Sequence, residues 1–243
     1  KNLESGSRAL ALGRELIGYV LAADIVQLSK VDADLDAKWR TKLAYLLTYK
    51  TSQAGSLIDC SLDRPNNWGG HSRASWLAAA LYLGDKAGAD KAVATLRGWM
   101  GNWSAYNGFE YGDLAWQVDK TKPVGILPKG AKLQNYDVDG GQPEELRRVA
   151  FKIPPGFVVY TWEGLQGPIA AAEMARRAGY TDIWDECDQA LLRAVEFNYR
   201  QGWAAEGDDK WVVPIINRAY GVTIPITGGG AGKNVGWTLW THL

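Results

Sequence analysis

The sequence predicts an all-α fold, in the form of an α/α toroid or incomplete barrel made of antiparallel helix pairs. Three observations predict it: apolar residues recur at helical spacing through most of the chain, short turns separate consecutive helices, and strand patterns are scarce. Helices joined by short turns pack as antiparallel neighbours. With 243 residues and no change of composition along the chain, residues 1–243 are expected to form a single domain.

The N-terminal half is predicted to form successive amphipathic helices. In the first, residues 7–28, apolar side chains repeat at helical spacing, and Asp24 lies on the same apolar stripe. A carboxylate in that position needs a buried hydrogen bond or ion pair, so we expect Asp24 to have such a partner. Further helices are predicted for residues 34–51, 72–83 and 87–100, with a loop at residues 60–70.

Residues 101–141 break this pattern, because glycine, proline and aromatic residues replace the helical period. Segments of this length without secondary structure are uncommon inside compact domains, and they are usually functional or disordered. The aromatic content argues against disorder, since disordered segments are poor in aromatic residues. The segment is interpreted as a lid or cleft wall that has room for a short β-hairpin.

Helical patterns resume at Pro143, because proline is favoured at the first positions of a helix. This short helix covers residues 143–148, and a Pro-Pro-Gly sequence at 154–156 interrupts the chain after it. A last helix pair is predicted at residues 161–178 and 182–199. A glycine-rich loop at 228–232 then leads to a tail that contains two tryptophans.

The chain is organised around the stretch NNWGGHSR, residues 66–73, at the start of the predicted third helix. The two glycines allow turn conformations, and the free N–H groups and positive dipole end of a helix start favour an anionic ligand. A simpler interpretation is that Asn66 or Asn67 caps the helix and His71 is an ordinary surface histidine.

Charge and aromatic content narrow the class of partner. The 27 basic residues balance the 27 acidic ones, so no overall field attracts a nucleic acid. No apolar run is long enough to cross a bilayer, so no membrane partner is expected. The chain has twelve Trp and eleven Tyr but only four Phe, which favours a partly solvated cleft in which aromatic rings stack on sugars.

The two cysteines, Cys60 and Cys187, are compatible with one long-loop disulfide or with two buried thiols. The sequence has no C-x-x-C spacing and no His-rich cluster, so no metal site is expected. The chain opens directly on a helical pattern, which fits a mature secreted product with its leader removed, a cytoplasmic protein or a trimmed chain.

Three distant clusters combine polar and aromatic side chains at loops or helix starts. If they converge, the site is rich in cations and amides and contains a tyrosine, an inventory that suits recognition of a uronate carboxylate better than hydrolysis. The clusters are Asn66/Asn67/His71/Arg73, Arg147/Arg148/Lys152/Tyr160 and Lys233/Asn234/Trp237/Trp240/His242.

Four segments, in order, resemble those of the alginate lyase superfamily, α/α-toroid enzymes that cleave uronate polymers by β-elimination. They are ALGRELIGYVLAADIVQL, NNWGGHSRASWLAAALYLGD, DGGQPEELRR followed by YTWEGLQGPIAAAEMARRAGY, and GKNVGWTLWTH. The second resembles the family's Asn-Asn-His helix start, the third its Asp-Gly, Pro-x-Glu-Leu and Tyr segment, and the fourth its Gly-(Trp/Phe)-Thr-Asp-Trp-Thr-His tail.

The resemblance implies a role for each matching residue. Asn67, or else Asn66, would hydrogen-bond the substrate carboxylate, with His71 as the family histidine. Arg147 or Arg148 would be the family arginine, and Tyr160 the tyrosine that acts on the sugar. The sequence departs from the family where Trp-Gly-Gly separates the asparagines from His71, where Gly156 replaces an arginine, and where Leu239 replaces the tail aspartate.

The predicted chemistry is removal of the weakly acidic C5 proton of a uronate, which builds enolate-like charge on its carboxylate. A tyrosine at its reference pKa of about 10 is a poor base at neutral pH, so Arg148, Lys152 or a protonated His71 must favour its phenolate. One tyrosine suffices for a syn elimination, whereas an anti elimination needs a second residue, for which His71 is the candidate. No cofactor is required.

We therefore interpret the sequence as that of a secreted or periplasmic lyase whose partner is an anionic polysaccharide, a β-linked polyuronate such as polymannuronate or glucuronan. Its oligomeric state is open. The catalytic candidates are Tyr160, His71, Asn67 and Arg148. The substrate-binding candidates are Asn66, Trp68, Arg73, Tyr111, Trp116, Arg147, Lys152, Lys233, Asn234, Trp237 and His242.

Alternative interpretations stay open for the chain and for single residues. An α/α-toroid hydrolase would use two carboxylates of the long loop, and a non-catalytic sugar-binding protein would use its aromatic residues. Arg147 and Arg148 follow two glutamates, so one of them is expected on a solvated helix face. Tyr160 also fits a packing role, and the tail fits a role in closing the toroid. The loop carboxylates are Glu110, Asp113, Asp119, Asp137 and Asp139.

Overall fold

The computed structural model describes residues 8–52, 54–228 and 238–242, and the fold is all-α as predicted. Short 3-10 turns cover Ile183–Asp185 and Gly207–Trp211. The helices are α1 Arg8–Ile25, α2 Leu28–Val31, α3 Ala33–Thr48, α4 Leu57–Asp63, α5 Asn67–Leu83, α6 Lys86–Met100, α7 Pro143–Leu146, α8 Tyr160–Arg177, α9 Glu186–Arg200, α10 Val212–Tyr220 and α11 Thr238–Thr241.

Helices α1, α5 and α8 lie side by side and run in the same direction. The order of their contacts shows this, because a Cβ built at Gly13 meets Ser72 of α5, and the Ile17 N–H binds Ser75 Oγ at 3.0 Å. A Cβ built at Gly167 of α8 would lie 2.3 Å from the carbonyl carbon of Gly70, and Glu163 of α8 contacts Arg14 of α1. The N-terminal ends of these helices therefore meet at one end of the molecule.

Each of two central helices is followed by a neighbour that returns along it. Helix α6 follows α5 after the Gly84 turn and packs on it, and α9 packs on α8. Parallel inner helices with returning partners form the repeating unit of a toroid. The closed ring itself stays a prediction.

The start of α5 differs from the predicted loop, because the helix already begins at Asn67 and contains both glycines. Their small size, and not a turn conformation, is what the packing uses. A Cβ built at Gly69 would lie 1.8 Å from the Arg64 carbonyl oxygen, and one built at Gly70 would lie 3.0 Å from Pro168 Cδ. Glycine at these positions thus lets α5 approach α8 and the chain before it.

Other sequence predictions are corrected in the same way. Asp24 is exposed, so the buried partner predicted for it is wrong, because α1 ends at Ile25 and its last turn faces solvent. Helices α4 and α10 were not predicted. The helix predicted from Asp182 begins with a 3-10 turn and three residues of positive φ, Cys187 to Gln189, before its right-handed run.

The long segment 101–141 forms a packed wall with a small core of its own. Trp116 and Leu127 are fully buried there and pack with Leu146 and Phe197. The Arg193 guanidinium of α9 donates to the Leu127 carbonyl at 2.8 Å, which ties the segment to the helices. The predicted short hairpin is confirmed, with strands β1 Lys132–Leu133 and β2 Tyr136–Asp137 paired antiparallel.

Both cysteines are free thiols, which answers the open question of a disulfide: Cys60 is buried, and Cys187 is half-buried. Within the described ranges, none of the helices combines the length and apolarity needed to cross a membrane.

Candidate functional site

Four side chains meet where α7 lies against the N-terminal ends of α5 and α8. We call them the Arg148 cluster: Asn67 at the start of α5, Glu145 on α7, Arg148 just after α7, and Tyr160 at the start of α8. Three of the four were sequence candidates. Glu145 was not.

Glu145 links two of these elements through its two carboxylate oxygens. One oxygen accepts the backbone N–H of Asn67 at 2.6 Å, and the other accepts Arg148 Nε–H at 2.8 Å. The first N–H groups of a helix lack partners inside the helix and attract negative charge. The anion predicted at the start of α5 is therefore the chain's own Glu145 carboxylate.

Arg148 joins the remaining members. Its Nη2 donates to Asn67 Oδ1 at 3.2 Å, and its guanidinium carbon lies 4.2 Å from the centroid of the Tyr160 ring. A cation over the face of an aromatic ring is attracted by the ring's electron density.

The cluster is buried at one side and open at the other. Asn67 and Glu145 are 1 % and 2 % exposed, whereas Tyr160 is 38 % exposed and 27 % of the Arg148 side chain reaches solvent. Burial raises the pKa of Glu145 to about 7, although Arg148 and the Asn67 N–H act in the opposite direction. Tyr160 and Arg148 are therefore open to a ligand, and Glu145 supports Arg148 from the buried side.

The Asn67 amide has a donor to spare. Its Oδ1 accepts from Arg148 and from the Trp68 N–H, but its buried Nδ2 has no hydrogen-bond partner within residues 8–52, 54–228 and 238–242. Buried polar groups are normally satisfied, so this amide is suited to a ligand oxygen. Asn66 instead caps α5, since its side chain accepts the Trp68 N–H at 3.1 Å.

Arg147 belongs to a different unit. Its Nε donates to Glu144 at 2.8 Å, and the other Glu144 oxygen accepts the Gly112 N–H at 2.8 Å. This pair ties α7 to the wall formed by segment 101–141. Both arginines bind buried glutamates while remaining partly open to solvent.

His71 lies inside the molecule, so its interpretation as a surface histidine is wrong. Its Nε2 lies 3.7 Å from a Glu163 carboxylate oxygen, and Arg14 of α1 contacts the same oxygen. His71 thus sits between α1, α5 and α8, one turn further along α5 than Asn67.

Four other candidates lie in packed surroundings. Arg73 is fully buried, with its guanidinium over the Phe109 ring and donating to the Ser61 carbonyl at 3.1 Å. Trp116 is fully buried in the core of the wall, the Tyr111 hydroxyl is buried beside Phe109, and half-buried Trp68 lies under the Arg64 guanidinium. Arg73 and Trp116 present no open face to a ligand.

The remaining candidates are spread over the molecule. Lys152 is exposed in the connection between α7 and α8. His242 lies 3.5 Å from Glu173 on α8, about 20 Å along that helix from Tyr160 at 1.5 Å per residue. The structure therefore does not bring His242 to the Arg148 cluster. Lys233, Asn234 and Trp237 lie outside the described residues, and so does the side chain of Trp240.

Four of the five loop carboxylates are engaged in local turns or anchors, and among them Asp139 binds the Gly130 N–H and Arg193. Asp119 accepts from the N–H and hydroxyl of Thr121, Asp113 accepts the Ala115 N–H, and Asp137 accepts the Asp139 N–H. The described part of the chain also contains no group of three or more acidic, histidine or cysteine side chains arranged to hold a metal ion.

A signal for Glu145 was present in the sequence, in the spacing of Glu145 and Arg148. Residues three apart share one face of a helix, so a salt bridge between them was predictable. The sequence did not predict which element this face packs against, because that depends on how α7 lies against α5.

Comparison with known proteins places the chain in a family. The family model described as alginate lyase matches residues 20–211, which include the whole Arg148 cluster and most of the helices. No curated protein and no solved structure gives a significant match. Because the matched region covers most of the chain, this protein belongs to the alginate lyase family.

Proposed function

We propose that the protein is a polysaccharide lyase that cleaves a β-linked polyuronate by β-elimination, with Tyr160 as the group that moves the proton. The observation that carries the proposal is the Arg148 guanidinium on the exposed ring of Tyr160, beside the Asn67 amide. Family membership supports a polysaccharide lyase, and the cluster supports this chemistry.

The first step is removal of the C5 proton. Arg148 lies 4.2 Å from the Tyr160 ring and stabilises the phenolate, which then accepts the proton from C5. The electrons of the C–H bond form the C4–C5 double bond as the C4–O4 bond breaks. The tyrosine returns its proton to the departing O4, so that a single residue serves as base and acid.

Asn67 would stabilise the charge that develops on the substrate carboxylate. Its Nδ2 group is buried and able to donate, and Arg148 stands next to it with part of its guanidinium open to solvent. Removing one such donor to a developing oxyanion typically costs about 3–4 kcal/mol of transition-state stabilisation. These two residues also explain the preference for an anionic sugar.

The arrangement favours syn elimination. A second proton-transfer group is needed only when the proton and O4 lie on opposite faces, and His71 is buried against Glu163. In D-mannuronate and D-glucuronate the C5 proton and O4 lie on the same face of the ring, whereas in L-guluronate they lie on opposite faces. We therefore propose polymannuronate or glucuronan as substrate.

The hydrolase interpretation receives less support, because four of the five loop carboxylates already accept hydrogen bonds in local turns or pair with an arginine. We keep the proposal of a secreted or periplasmic location, since polymers of this kind are met outside the cytoplasm.

The test is ultraviolet absorbance during incubation with polymannuronate, polyguluronate, alginate, glucuronan and hyaluronan. We expect the absorbance of the unsaturated uronate to rise with one of the D-manno or D-gluco polymers, and Tyr160→Phe to abolish the rise. Circular dichroism of the variant controls for folding. New reducing ends without this absorbance would indicate a hydrolase. No change with any polymer would contradict the proposal and favour a binding protein.

A further inference from the structure

We propose that Glu145 is a positioning residue of the site: its ionised carboxylate holds Arg148 on the face of Tyr160 and Asn67 at the substrate side. This inference rests on the function proposed above, because Arg148 and Tyr160 are assigned there. No role for Glu145 followed from the sequence.

The hydrogen bonds require a carboxylate with both oxygens free to accept. One oxygen receives the Asn67 N–H and the other receives Arg148 Nε–H, at 2.6 Å and 2.8 Å. A protonated carboxyl has lost its negative charge, and its proton occupies one of the lone-pair positions that could accept. Protonation of Glu145 therefore weakens its bonds to Arg148 and to the start of α5, because hydrogen bonds to a neutral acceptor are weaker.

The surroundings of Glu145 leave few ways to compensate. Helix α7 contributes the neighbouring Glu144, the residues just after it contribute Arg148, and α5 contributes Asn67. On α8 it faces Gly164, where a built Cβ would lie 3.1 Å from Glu145 Cγ, and Tyr160 stands one turn earlier. Glu144 already binds Arg147 and Gly112, so its carboxylate is held away from Arg148.

The expected result is an acidic limb in the pH dependence of activity. Glu145 is ionised above a pH of about 7, the value to which burial raises its pKa. Below that pH, kcat should fall because Arg148 loses its fixed place over Tyr160, whereas KM should change little because the exposed substrate contacts remain. Small misplacements of catalytic groups lower rates by up to about 100-fold.

The decisive variant is Glu145→Gln, which keeps the shape of the side chain and removes its charge. We expect kcat to fall about 10- to 100-fold at pH 8 and the acidic limb to disappear, with KM within about twofold of the wild type. Glu144→Gln is the matched control, since Glu144 is equally buried and pairs with an arginine three residues later. Glu144→Gln should retain the acidic limb in the pH dependence of kcat.

A second measurement does not depend on activity. The Asn67 amide proton binds Glu145 directly, so its NMR chemical shift in the wild-type protein should titrate with a midpoint near pH 7. The Arg148 Nε–H resonance should follow the same midpoint. Neither should titrate in that range in Glu145→Gln, whose folding is checked by the remaining amide spectrum.

The outcomes separate this inference from the proposed function. A wild type that is inactive on every polymer but shows the shared NMR midpoint overturns the proposed function and supports the Glu145 contacts. An active wild type whose acidic limb survives in Glu145→Gln overturns the positioning role. The same conclusion follows if Glu144→Gln removes the limb equally, or if the Asn67 and Arg148 resonances do not titrate together.

Discussion

Two Glu–Arg pairs lie next to each other at α7. Both have i,i+3 spacing in the sequence, but they contact different parts of the structure. Glu144 pairs with Arg147 and binds the Gly112 N–H of the wall, whereas Glu145 pairs with Arg148 and binds the Asn67 N–H of α5. Both glutamates are buried, and both arginines are partly open to solvent.

The difference arises from the geometry of a helix. Neighbouring residues point about 100° apart around the axis, so two consecutive pairs with i,i+3 spacing must reach different elements. One pair anchors a wall, and the other meets the two helix starts at which Tyr160 and Asn67 lie. The charge of a side chain alone does not distinguish a structural anchor from a site residue.

The sharpest test of this comparison replaces each arginine by lysine. Arg148→Lys should lower kcat by about 100- to 1,000-fold, because a lysine cannot donate to both Glu145 and Asn67 while lying flat on Tyr160. Arg147→Lys should change kcat by less than about threefold, because it keeps a charge beside Glu144. Steady-state kinetics on the cleaved polymer measure both. Equal losses would remove the distinction between the pairs.

The Glu145 pair should also make the stability of the protein depend on pH. The folded-state pKa of Glu145 is raised from 4.5 to about 7, mainly by burial and against the effects of Arg148 and the Asn67 N–H. Between these values the folded protein binds more protons than the unfolded chain, so this contribution to the free energy of unfolding falls as pH rises. It is fully present below about pH 4.5 and lost above about pH 7, a change of about 3 kcal/mol.

Urea unfolding of the wild type and of Glu145→Gln between pH 4.5 and pH 8 measures this contribution. It is the difference between the two free energies of unfolding, plotted against pH. We expect the wild type to lose stability relative to Glu145→Gln as pH rises. Parallel curves for wild type and Glu145→Gln would contradict the buried, weakly acidic carboxyl. As pH rises from about 4.5 to about 7, the expected activity therefore increases while the stabilising contribution of Glu145 is lost.

Sequence patterns were sufficient for the helical class and the main helices, and they indicated an ordered segment 101–141 with room for the hairpin. The resemblance also named Asn67, Arg148 and Tyr160, which the structure brings together. Patterns failed where one helix's neighbours decide the outcome: the exposure of Asp24, the burial of Arg73 and the direction of Glu145 depend on packing between distant segments. Helical periodicity predicts which face of a helix is buried, but not which other element packs against that face.

The smallest effect is expected where the Glu145 pair touches α8. Gly164 and Gly156 lie four residues to either side of Tyr160, but their surroundings differ. A Cβ at Gly164 would lie 2.4 Å from Gln142 Oε1 and 3.1 Å from Glu145 Cγ. A Cβ at Gly156 would meet only Val149, at 3.9 Å. Gly164→Ala should therefore shift Glu145 and lower kcat about tenfold, whereas Gly156→Ala should stay within about twofold. Equal kcat values for the two variants would show that α7 can move away from α8 without disturbing Arg148.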